Sequence, residues 1–127
     1  MPQYLTISNS KEMFRFRSDR IVYVASDGNY SVIHMSDGDQ RVVIRKLLEI
    51  EELMGKQFCS CVCEKFIRVG RELIINTDYV YYINPNRQQI LLCDNERVKV
   101  ELSAPKQALK LLKTYFEEKY TTENGRD

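Results

Sequence analysis

The chain has 127 residues, 43% hydrophobic and 29% charged, with 19 basic and 18 acidic side chains and a net charge of +1. That length suits one domain with a real core, and the balance excludes nucleic-acid binding driven by bulk charge, so any basic face must come from segregation within the fold. No apolar run approaches membrane-spanning length, and the N-terminus MPQYLTISNS lacks a basic, then apolar, signal, so the expected location is cytoplasmic.

In chain order, YLTIS (4–8) and MFRFR (13–17) alternate apolar with polar residues around NSKE, which signals a hairpin. RIVYVAS (20–26) and YSVIHM (30–35) are β-branched and aromatic. Asp27-Gly28-Asn29 joins them with residues that tolerate positive φ. SDGD (36–39) makes the next turn, into QRVVI (40–44).

From Lys46 to Met54 the period becomes helical. Leu47, Ile50 and Met54, with Leu48 alongside, form the apolar face, Glu49, Glu51 and Glu52 the wet one, and Gly55 the stop. Short segments follow: FCSCVC, FIRV, ELIIN, VYYI, QILLC and RVKVEL, with turns at NPNR (84–87) and DNER (94–97). A second helix is expected from an N-cap at Ser103, with Pro105 in its first turn and Ala108, Leu109, Leu112 and Phe116 as its stripe. Residues 1–120 read as a single domain and 121–127 as a polar tail. The fold class is α+β, mostly β and antiparallel, because strands and helices do not alternate regularly.

No catalytic constellation is legible. The one histidine, His34, sits in a strand-like run with no acid partner and reads as a strand-face residue with a hydrogen-bond partner. Glycine-rich phosphate loops are absent. In a strand, Cys59, Cys61 and Cys63 would share a face, with Cys93 as a possible fourth thiol. Same-face neighbours stand roughly 6–7 Å apart, wide for ligands of one ion, and the usual C-x-x-C knuckle is missing. We therefore expect no metal, no cofactor and no small-molecule substrate, and not an enzyme.

RIVYVASDGNYSVIHMSDGDQRVVIRKLLEIEELM followed by FIRVGRELIINTDYVYYI resembles the LytTR family of bacterial DNA-binding domains. Asp27-Gly28-Asn29-Tyr30 match the family's turn, Leu47, Ile50 and Leu53 its helix, and Phe66, Arg68, Arg71, Ile75 and Asn76 its F-x-R-x-H-R-S-x-x-V-N segment. The resemblance covers about residues 2 to 118. It implies an elongated arrangement of small antiparallel sheets with one short central helix and a C-terminal helix. It also implies sequence-specific binding of double-stranded DNA through loops in the major groove, as a transcriptional regulator, possible homodimers forming on repeated sites. With no room for a receiver domain, the chain is expected to stand alone or to be an excised domain.

Carried over residue by residue, Asn29 and Arg71 are the expected base readers. Asparagine can take adenine bidentately, and a guanidinium can take guanine O6 and N7. Tyr30, Arg45, Lys46, Arg68 and Lys106 are the expected contacts to the DNA backbone. The chain departs from the pattern at Gly70 (histidine in the family), at Glu72 (serine) and at Ser103-Ala104-Pro105, which lacks an arginine. These departures motivate an alternative: a LytTR-like interaction or regulatory module that has lost specific DNA binding. Asn76 has its own local reading, as a side chain bonding backbone at a strand end.

Overall fold

The structure, a computed structural model, describes residues 2–94 and 98–124. Among the described residues, ten strands form three antiparallel sheets. β1 (Tyr4–Ser8) and β2 (Met13–Arg17) make a hairpin. The central sheet has five strands in the order β5 (Gln40–Val43), β4 (Tyr30–Met35), β3 (Ile21–Asp27), β7 (Leu73–Asn76), β6 (Phe66–Val69). The third sheet is β10 (Lys99–Ser103), β9 (Gln89–Cys93), β8 (Val80–Asn84). The helices are α1 (Leu47–Gln57), the short α2 (Ser60–Cys63) and α3 (Lys106–Asn124).

The central sheet is buried on both faces because its strands carry apolar residues in both registers. On one side Ile21, Val24, Ile33 and Ile74 pack with Leu5, Ile7 and Phe16 of the hairpin and with Leu47, Ile50 and Met54 of α1. On the other, Val22, Tyr23, Val69, Leu73 and Ile75 pack with Ile90 and Leu92 of β9 and with Leu109 and Leu112 of α3. Each fully buried aliphatic side chain contributes about 1.5–3 kcal/mol of burial free energy. Consecutive Val22 and Tyr23 reach the same core because the β3–β4 register slips between Ile21 and Tyr23, a bulge that breaks the alternation.

Four expectations are corrected. Gly55 does not stop α1, which runs on to Gln57. The extra turn brings Phe58 into the core at 5% exposure, its N–H bonded to the Met54 carbonyl. Leu48 lies on the wet side, 58% exposed. FCSCVC is no strand: Cys59 precedes the single turn α2, and Cys63 N–H donates to the Cys59 carbonyl. Ser103 is also not a cap. It pairs with Gln89 as the last residue of β10, and the helix opens at Lys106, with the Pro105 carbonyl accepting from Leu109 N–H. The backbone of α3 continues to Asn124. Apart from Asp94, the turn expected at 94–97 lies outside the described residues.

Asn76 closes β7 and is 1% exposed. Its Nδ2 donates to the Ile21 carbonyl at 2.9 Å, and its Oδ1 accepts from Asp78 N–H at 3.0 Å. The local sequence reading holds. Replacing Asn76 by alanine strands the buried Ile21 carbonyl and removes the acceptor of the part-buried Asp78 N–H, and is expected to cost about 1–3 kcal/mol, read as a drop in the urea midpoint. A cost under about 0.5 kcal/mol, the range of neutral surface changes, would contradict this role.

Among the described residues, His34 finds a ring instead of the expected hydrogen-bond partner. It stacks on Tyr23 with centroids 4.0 Å apart and planes 9° from parallel. Burial lowers its pKa below the ordinary 6.5. The unfolded chain therefore takes up a proton that the folded imidazole resists. This contribution is intact above about pH 6.5 and is lost as pH falls toward the depressed folded value. The gap in unfolding free energy between the parent and His34→Gln should shift toward the variant on going from neutral to mildly acidic pH. Parallel curves for the two proteins would rule the effect out.

Candidate nucleic-acid interface

One end of the central sheet collects almost every candidate residue. At that end β3 and β4 meet in the turn that carries Asn29, exposed, and Tyr30, 46% exposed, with Gly28 at φ +66°. β7 begins and β6 ends there, so the Gly70-Arg71-Glu72 turn lies beside the first one. Ser26 N–H donates to the Glu72 carbonyl at 2.9 Å and ties the two turns together. β5 also ends there, since Ser31 pairs with Val43. The Ser31 hydroxyl, fully buried, then donates to the Arg45 carbonyl at 2.7 Å, which fixes Arg45 and Lys46 at the same edge, just before α1. Five strands at about 4.8 Å spacing make this edge roughly 19 Å wide.

Gly70 links the turn to α3. Its φ is +70°, and a Cβ placed on it would lie 3.0 Å from Pro105 Cδ and 3.2 Å from Cγ. The absence of a side chain thus allows both the left-handed turn and a close approach to Pro105, and it brings exposed Lys106 to the same end. A cleft of about 970 Å³, lined by Ile67, Val69, Leu73, Ala108 and Leu112 among others, opens between this turn and α3.

The arginines are held differently. Arg71 is exposed, and its side chain has no ion pair among the described residues, with Glu72 or otherwise. Arg68 faces inward. Its Nη1 donates to Glu51 Oε1 at 3.1 Å and its Nη2 to the Arg71 carbonyl at 3.2 Å, while Nε is buried without a partner among the described residues. It braces the turn that presents Arg71. Arg45 Nη2 donates to the Ser8 carbonyl at 3.2 Å and keeps most of its five donors for a ligand. The Glu49 carboxylate accepts from Lys46 N–H at 2.8 Å, satisfying the start of α1 and leaving the lysine head exposed.

Sequence reasoning missed two features. Ile44 is 73% exposed beside Arg45, an apolar group in a charged edge; its only signal was one apolar residue too many after β5. The Gly70–Pro105 contact joins positions far apart in the chain and left no local signal.

A family model described as the LytTr DNA-binding domain matches residues 11–117. The chain belongs to the LytTR family of DNA-binding domains. Among solved structures, the LytTR fold here is similar to the LytTr DNA-binding domain of a Bacillus cereus protein described as a methyl-accepting/DNA response regulator. The identity is 17% and the TM-score 0.57, covering 91% of this chain and 94% of that one. No curated protein matches the chain significantly. The expected class, mostly β with small antiparallel sheets, a central helix and a C-terminal helix, is the one observed; α2 is an addition to it. No described helix of this LytTR domain is long and apolar enough to cross a membrane. Among the described residues, no three His, Cys, Asp or Glu side chains are grouped to hold a metal ion.

Gly70→Ala is expected to cost about 2–3 kcal/mol, combining left-handed strain with the clash against Pro105. Gly28→Ala should cost only about 1–2 kcal/mol, because its Cβ meets open space. Denaturant titrations of both variants test the ordering. Equal costs would remove the Pro105 contact from the explanation.

Proposed function

We propose that this LytTR domain binds double-stranded DNA in a sequence-specific way through the turns at this end of the central sheet, and acts as a transcriptional regulator. The observation that carries the reading is the convergence of Asn29, Tyr30, Arg45, Lys46, Arg71 and Lys106 on one edge, through the Ser26–Glu72 and Ser31–Arg45 hydrogen bonds and the Gly70–Pro105 contact. An edge roughly 19 Å wide exceeds a major groove of about 12 Å. Such a face must touch phosphates as well as base edges, and the mixture of residues suits that division.

Asn29 and Arg71 read base edges in the major groove, from turns held by backbone bonds and not by their own side chains. Arg45, Lys46, Tyr30 and Lys106 contact phosphates, the N-terminus of α1 adding its dipole. Arg68, matched to Glu51, acts by positioning the Arg71 turn. Exposed Ile44 suits a thymine methyl. Glu72 sets a like-charge penalty beside Arg71 that disfavours loose, non-specific contact with phosphate. The domain works in the cytoplasm, as a single unit over 1–120, and occupies repeated half-sites as two copies.

The test is selection from a random duplex pool, then anisotropy titration of the enriched site at several salt concentrations. The reading expects a defined motif. Arg71→Ala and Asn29→Ala should each lose about 1–3 kcal/mol on that motif and relax preference at one position. Lys46→Ala should weaken binding evenly across sequences and reduce the salt slope by about one. Glu72→Gln should tighten binding to unrelated duplex by about threefold at low salt. No enriched motif, with the variants indistinguishable from the parent, would favour the interaction-module alternative.

A further inference from the structure

The cysteine cluster has no part in the DNA reading, and its geometry differs from the strand pattern the sequence suggested. Cys59 occupies the cap of α2 and Cys61 its first turn. Their sulfurs lie 2.9 Å apart, in hydrogen-bond contact, and both residues are exposed. The backbone around them is pinned: Cys59 N–H donates to Gln3 Oε1 at 2.8 Å, and its carbonyl accepts from Val62 and Cys63 N–H. Cys63 turns the other way, half-buried against the core beside α1.

From the contact between these two exposed sulfurs on a fixed turn, we propose that Cys59 and Cys61 form a thiol–disulfide exchange site that accepts electrophilic sulfur from low-molecular-weight disulfides and closes to a reversible Cys59–Cys61 disulfide.

The chemistry is two displacements. The Cys59 thiolate attacks one sulfur of the small disulfide, forming a mixed disulfide and expelling one thiolate. Cys61 then loses its proton to water and attacks the Cys59 sulfur, closing the protein disulfide and expelling the second thiolate. The two protein thiols lose two electrons and two protons, and the small disulfide becomes two thiols. The roles follow from the asymmetry of the pair. Either sulfur can donate in the shared hydrogen bond; with Cys61 donating, that bond lowers the Cys59 thiol below its ordinary range and raises that of Cys61, which makes Cys59 the attacking sulfur and Cys61 the resolving one. Closing so small a loop leaves a labile bond, of the regulatory or catalytic kind and not the structural kind.

The position in the fold matters for use. α2 joins the end of α1 to the start of β6, and Phe66 at that start pairs with Asn76, whereas the Arg71 turn lies at the other end of the same strands. DNA on the far edge therefore leaves the pair open to solvent. The proposal stands whether or not the DNA reading does.

The test is to incubate the full chain with oxidised glutathione at neutral pH and follow intact mass and peptide maps. The parent is expected to lose the mass of two hydrogens, with the link mapped to Cys59–Cys61 and reversed by dithiothreitol. Cys61→Ser should stop at a glutathione adduct on Cys59, and Cys59→Ser should lose the link. Cys63→Ser and Cys93→Ser should behave as the parent. A stable adduct in the parent, a link through Cys63 or Cys93, a link between two chains, or no mass change would each overturn the proposal.

Discussion

The structure depends on β7. Leu73, Ile74, Ile75 and Asn76 are all buried, which few short strands manage, because the segment has β3 on one edge, β6 on the other and a hydrophobic core on each face. Ile74 faces α1 and the hairpin, while Leu73 and Ile75 face the third sheet and α3. A slip of one residue would exchange the two faces and put Asn76 out of reach of the Ile21 carbonyl. That register decides where the Gly70-Arg71-Glu72 turn emerges and therefore which other turns it meets. The candidate interface is a consequence of packing two cores around one strand.

The same edge explains how a nearly neutral chain can present a nucleic-acid face. Its positive groups are gathered by topology and its nearby acids are put to use. Glu49 satisfies the helix start, and Glu51 takes the charge of Arg68. Arg71, Lys46 and Lys106 remain exposed. Surface ion pairs of this type add little stability, about 0–1 kcal/mol each. Their effect here is on which cations stay available. Glu72 is the exception, a carboxylate beside the exposed arginine; in the proposed reading its value lies in discrimination, not in affinity.

Much of the fold was legible because period-two alternation and glycine turns act locally. β1, β2 and the Asp27–Tyr30 turn follow from a few adjacent residues. The errors arose where a distant partner outweighed a local preference. Gly55 is tolerated inside α1 because Phe58 has to reach the core. Ser103 would cap a helix in isolation, but its strand pairing with Gln89 takes precedence. In Cys59-Ser60-Cys61-Val62-Cys63 the alternation mimics a strand, yet the segment pairs with no described strand and closes one helical turn instead. For the interface, the family pattern indicated which positions to inspect, while the Ser26–Glu72 bond, the inward pose of Arg68 and the Gly70–Pro105 contact required coordinates.

The central claim is that one end of the five-stranded sheet is the DNA face. Backbone amide shifts recorded with and without a short duplex test it most directly. The account predicts that perturbations concentrate at 27–30, 44–47, 70–72 and 105–107, with 59–65 and 77–79 at the opposite end unchanged. Perturbations centred on that opposite end, or none at saturating duplex, would contradict it.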